Sequence, residues 1–95
     1  MSPVKVRKII RELKRKGFCE INKKGHYFYY FIHEGKRTSI NTFISRGESE
    51  YSDSLLSHMK KELRLSKEQF DGVIDCSIMR EDLLDIYLNN GIIKN

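Results

Sequence analysis

The sequence contains no tryptophan, one proline and two cysteines in 95 residues. Cys19 and Cys76 are too few for the paired framework that staples a small secreted fold. Neither has a second Cys or a His at metal-ligand spacing, so both read as buried or half-buried thiols. Long apolar runs are also missing, and none approaches the ~20 residues of a membrane-spanning helix. The opening Met1-Ser2-Pro3-Val4-Lys5 becomes charged at once and lacks the apolar stretch of a signal peptide. These absences predict a cytoplasmic protein with no membrane partner and no metal or other cofactor.

Acidic residues are scarce in the first half. Residues 1–46 hold 12 Lys/Arg against 3 Asp/Glu, a balance of +9, whereas residues 47–95 hold 6 against 10, a balance of −4. A basic half joined to an acidic one points to a polyanionic partner for the first half, against the plainer reading of a solvated face. The acidic half argues against a protein that coats nucleic acid on all sides. The length suits one domain rather than two, and a hydrophobic share of 39% supports one small core.

Residues 4–16 carry Val6, Ile9, Ile10 and Leu13 at helical spacing, with Gly17 placed to end the helix. Its opposite face presents Lys8, Arg11, Lys14 and Arg15. Residues 18–22 suit a short strand, and Lys23-Lys24-Gly25 a basic turn. Residues 26–33, rich in Tyr and Phe, give the strongest strand signal in the chain. Glu34-Gly35-Lys36 is a hairpin turn into a third strand over 37–44. Strands joined by such short turns pair as an antiparallel meander. After a loop at 45–52, Leu55, Leu56, Met59 and Leu63 predict a second helix over 53–64. Ser66-Lys67-Glu68-Gln69 has the pattern of a capping box that opens a third helix bearing Phe70, Val73 and Ile74. Cys76-Ser77-Ile78 breaks that helix, and a fourth runs over 80–89 with Leu83, Leu84, Tyr87 and Leu88 inward.

The sequence therefore predicts an α+β fold: α-β-β-β-α with a three-stranded antiparallel sheet, plus two extra C-terminal helices. Helices flanking one meander usually pack together on one face of its sheet. This is the architecture of double-stranded-RNA-binding domains. Residues 1–95 form a single domain, with a core at 4–65 and a helical extension at 66–95.

Several short motifs fall in a fixed order. They are Lys16-Gly17-Phe18 closing the first helix, Lys23-Lys24-Gly25-His26 at the first hairpin with Tyr29 three residues on, and Gly35-Lys36-Arg37-Thr38-Ser39-Ile40 at the second. Asp53 to Leu63 supplies the helix that follows. On this set, residues 4–66 resemble the HicA family of toxins. The resemblance implies a small endoribonuclease that cuts messenger RNA without a metal, on a fold like that of double-stranded-RNA-binding domains. It also implies neutralisation by a HicB-type antitoxin protein, and it makes the glycine-turn histidine, here His26, the key residue.

Metal-free RNA cleavage needs a base for the ribose 2′-hydroxyl proton, an acid for the leaving oxygen, and cations for the phosphate. A histidine, with an ordinary pKa of about 6.5, suits the proton work. Lys23, Lys24, Lys36 and Arg37 lie in the turns on either side of that strand and could surround His26 with positive charge. The alternative for His26 is a strand-start histidine that packs or makes one hydrogen bond. His33, beside Glu34, and His58 read as solvated, and a base–acid pair of His26 with His58 is conceivable. The stripe of Lys8, Arg11, Lys14 and Arg15 and the loop residue Arg46 are candidate phosphate contacts, against the reading that they keep the protein soluble.

The middle strand has no polar face. His26, Phe28, Tyr30 and Ile32 alternate with Tyr27, Tyr29, Phe31 and His33. A sheet with helices on one side only should alternate apolar with polar. The second face is therefore expected to be covered, by the C-terminal helices, by a second copy in a homodimer, or by an antitoxin. Otherwise Tyr27 and Tyr29 could stack on RNA bases. The acidic C-terminal helices could shield the RNA site or contact the antitoxin. Beside the nuclease stand two other classes, a non-catalytic RNA- or DNA-binding module and a protein-interaction domain.

Overall fold

A computed structural model describes residues 3–45, 47 and 49–93, so Arg46 lies outside the described residues. The elements run β1 (Val4–Lys5), α1 (Val6–Arg15), β2 (Phe18–Lys23), β3 (His26–His33), β4 (Lys36–Ser45), β5 (Glu50–Tyr51), α2 (Asp53–Glu62), α3 (Lys67–Asp75) and α4 (Arg80–Asn89). This is the α+β order read from the sequence, with one addition. Val4–Lys5, placed in the first helix by its apolar spacing, instead pairs with Glu50–Tyr51 as a two-stranded antiparallel sheet.

Two tight turns set the main sheet. Lys24 and Gly25 have φ of 49° and 83°, and Glu34 and Gly35 have 54° and 75°. Two consecutive residues of positive φ define the hairpin turn whose twist matches antiparallel strands, and glycine at the second position carries no Cβ penalty. The turns pair Lys23 with His26 and His33 with Lys36, giving the antiparallel order β2-β3-β4. An irregularity in the β3–β4 register falls between Tyr30 and Ile32.

All four helices contribute to one core, and that core uses one face of the sheet. Tyr29 and Phe31 of β3, Phe18 of β2, and Ile40 and Ile44 of β4 are buried with Ile9 and Leu13 of α1 and Leu56 and Met59 of α2. The third helix opens with the predicted capping box: Gln69 N–H donates to Ser66 Oγ at 3.1 Å, and Ser66 N–H donates to Gln69 Oε1 at 2.9 Å. Beyond that cap the chain is no appendage. Phe70, Val73, Leu83 and Tyr87 are buried, the Tyr87 ring meets Phe31 edge-on at 5.1 Å, and its hydroxyl donates to the Leu63 carbonyl at 2.8 Å.

Two expectations are corrected. The C-terminal helices do not cover the second face of β3, because their apolar stripes complete the core on the first. Cys19, expected to be buried or half-buried, is exposed, because its strand position points to that second face, whereas Cys76 is half-buried. None of the helices among the described residues is long and apolar enough to cross a membrane.

Deleting residues 66–95 should expose Phe31 and Leu13 and abolish cooperative unfolding. Circular dichroism during a thermal melt checks this: a sharp transition in the 1–65 fragment would mean that the helices are dispensable.

Candidate nucleic-acid interface

His26 opens β3 at the end of the Lys24-Gly25 turn. Strand parity puts it on the uncovered face, where it is exposed. Lys23 is its direct cross-strand partner, and side chains so paired stand about 5 Å apart at Cβ. Lys23, Lys24, His26 and Phe28 together line a shallow surface recess. Two aromatic edges hold the imidazole: Phe43 lies at 6.0 Å with the rings at 86°, and Phe28 at 6.5 Å and 68°. Phe28 and Phe43 are themselves cross-strand partners with ring centroids 5.9 Å apart. Phe43 is 38% exposed, so this cluster is at the surface rather than in the core.

The other predicted cations divide. Lys36 and Arg37 are exposed but sit at the far end of β3 from His26, because the strand separates its two turns. Seven residues of strand span roughly 23 Å, so these two cannot add to the field at His26 as the sequence suggested. Arg37 lies instead over the Tyr30 ring, 5.2 Å from its centroid, a cation–π contact. Lys8, Arg11, Lys14 and Arg15 are exposed on α1 as expected, but the sheet separates them from His26. Three of them have acidic neighbours: Lys14 approaches Glu20 at 3.5 Å, and Arg11 and Arg15 approach Glu12 at 3.4 and 3.7 Å. His58 and His26 are also kept apart. His58 projects from α2, 3.7 Å from Glu62, and Glu62 accepts a hydrogen bond from buried Thr42 on the covered side of the sheet.

The tyrosines offered for base stacking are on the wrong face. Tyr29 is fully buried, and its hydroxyl donates to Glu20 at 2.6 Å. Burial, reinforced by that carboxylate, pushes its phenol up. Tyr27 is half-buried on the same side. The rings on the uncovered face are Phe28, Tyr30 and Phe43. His33, read as solvated, is largely shielded, with 15% of its side chain exposed.

A buried polar cluster escaped the sequence reading. Glu12 and Lys16 are 1% and 0% exposed, and Lys16 Nζ donates to Glu12 Oε1 at 3.0 Å and to the Val73 carbonyl at 3.2 Å. The Cys76 thiol donates to the same Glu12 oxygen at 2.9 Å. The signal was the i,i+4 spacing of the only acid in α1 with a lysine that continues the Val6-Ile9-Leu13 stripe. The thiol bond above all, with the Lys16 and Arg15 charges, outweighs burial and holds the Glu12 carboxyl at about 2.

Among the described residues, no group of three or more His, Cys, Asp or Glu is arranged to hold a metal ion. No protein-family model, curated protein or solved structure matches the chain.

Lys16→Met strands a buried carboxylate and should cost roughly 3–5 kcal/mol, while Glu12→Leu with Lys16→Met should recover most of it. Urea unfolding at pH 7 measures both. Because the folded carboxyl lies below its unfolded value of 4.5, its contribution is complete above that pH and is lost as pH falls towards 2. Over that window the wild type should lose more stability than Glu12→Gln.

Proposed function

We propose that the chain binds single-stranded RNA on the uncovered face of the sheet and cleaves it without a metal, with His26 as general base. The observation that carries this reading is an exposed histidine set beside Lys23 and Lys24 on a face that also presents the rings of Phe28, Tyr30 and Phe43. In the proposed step His26 takes the proton of a ribose 2′-hydroxyl. The 2′-oxygen attacks the adjacent phosphorus, the bond to the 5′-oxygen breaks as that oxygen takes a proton from solvent water, and protonated His26 returns its proton to solvent, leaving a cyclic phosphate and a 5′-hydroxyl. The lysines neutralise the phosphate as charge builds on it. The likeness of residues 4–66 to HicA toxins supports messenger RNA as substrate, a HicB-type antitoxin as partner, and the cytoplasm as the place of action.

A second reading is a non-catalytic RNA-binding module. It is favoured by the surroundings of the imidazole: no hydrogen bond or ion pair among the described residues joins it to an acid or to a second histidine. The two readings differ in one assay, in which a labelled single-stranded messenger RNA is incubated in EDTA with wild type or His26→Ala. Cleavage by the wild type alone supports the nuclease. Binding without cleavage by either protein supports the module, and equal cleavage by both rules out His26 as the base.

Phosphate contact makes a separate prediction. Each lost contact to a single strand should reduce the slope of log affinity against log salt by about 0.7. Lys23→Ala and Lys24→Ala should each do so in a salt titration, whereas Lys8→Ala on α1 should not.

A further inference from the structure

If RNA binds this face, the rings beyond His26 need a role, and their geometry supplies one. We infer that the uncovered sheet face is a stacking platform for unpaired, extended bases, with one step on Phe28 and Phe43 and the next on Tyr30 beneath Arg37. This rests on the RNA-binding reading and deepens it by naming the form of RNA that is bound.

Phe28 and Tyr30 are two residues apart on one strand and therefore about 6.7 Å apart. A stacked nucleic-acid strand rises only ~3.4 Å per nucleotide. Successive rings can therefore take successive bases only from a strand whose bases are unstacked from one another, which excludes a duplex. The Phe28 and Phe43 rings are tilted by 41° and lie side by side across the strands, making one broad apolar surface. At Tyr30 the Arg37 guanidinium lies over the ring at 5.2 Å, too close to admit a base as it stands, so a base takes the guanidinium's place on the π-face and the cation moves to the base's outer side.

Charge favours this occupant over a second copy of the chain. The three strands contain one acidic residue, Glu20, and it belongs to the covered side, where it accepts from Tyr29 and pairs with Lys14. Cations stand at both ends of the open face, Lys23 and Lys24 at one and Arg37, the cross-strand partner of Ile32, at the other. Two copies placed face to face would oppose like charges in either orientation, whereas a strand of RNA would lay its bases on the rings and its phosphates against the lysines.

The test is fluorescence anisotropy with three labelled 2′-O-methyl probes, which have no 2′-hydroxyl to attack: a short single strand, the same strand annealed to its complement, and an abasic strand of equal phosphate number. Phe28→Ala, Tyr30→Ala and Phe43→Ala should each weaken single-strand binding about tenfold and leave the other two probes within twofold. Phe28→Leu and Phe43→Leu keep apolar bulk and folding but lose the ring, and they should match the alanine variants. Unchanged single-strand affinity in these variants, with salt-sensitive binding by the wild type intact, would overturn the platform and leave the RNA reading standing. Equal losses on all three probes would also overturn it. A wild type that binds no probe at low salt would overturn both. A dimer in sedimentation that Phe43→Ala converts to monomer, with RNA affinity unchanged, would reassign the face to self-association.

Discussion

The row of Tyr29 and Phe31 along β3 is the contact on which the rest of the molecule depends. Both rings are buried by helices from each end of the chain: Phe31 meets Tyr87 from α4, and the same core includes Leu13 from α1 and Met59 from α2. A strand presents alternate residues to opposite faces, so committing these two to the core commits His26, Phe28, Tyr30 and Ile32 to the other side. Among the described residues no helix is left to cover that side. An apolar strand that would ordinarily be sandwiched is half open, and the opening is where the basic first hairpin delivers a histidine.

The polar cluster on α1 complements this arrangement. Lys16 reaches the Val73 carbonyl near the end of α3, and Cys76, in a left-handed conformation just beyond that helix, donates to Glu12. These bonds tie the first helix to the third, so the basic N-terminal half and the acidic C-terminal half share one folding unit. Eight acidic residues after residue 46, from Asp53 to Asp85, lie on helices α2, α3 and α4, which pack behind the sheet. The basic half itself divides: the cations of α1 share the covered side with the acidic helices, and the three strands of the main sheet contain one acidic residue, Glu20.

Much of this was legible in the sequence. Helical spacing located all four helices, and the Ser66–Gln69 pattern gave the start of the third. The Lys24-Gly25 and Glu34-Gly35 pairs gave the hairpins. The choice of face on β3 was not read correctly, although the information was present. On β4, Ile40 and Ile44 alternate with Ser39 and Asn41, which marks the even positions as inward, and a two-residue turn from His33 to Lys36 places the odd residues of β3 beside them. Judged by β3 alone, the faces are indistinguishable, since both are aromatic. The separation of Lys36 and Arg37 from His26 follows from the same register, because the two turns lie at opposite ends of one strand. The Glu12–Lys16–Cys76 cluster could be only half anticipated: the i,i+4 spacing is local, but the thiol comes from 60 residues further on.

The central claim is that RNA meets the uncovered sheet face rather than the basic stripe of α1. Nuclear magnetic resonance of the full chain titrated with an uncleavable single-stranded RNA tests it most directly. The account predicts shift changes concentrated at Lys23, Lys24, His26, Phe28, Tyr30 and Phe43. Changes confined to Lys8, Arg11, Lys14 and Arg15, with the aromatic resonances of β3 and β4 unmoved, would contradict it.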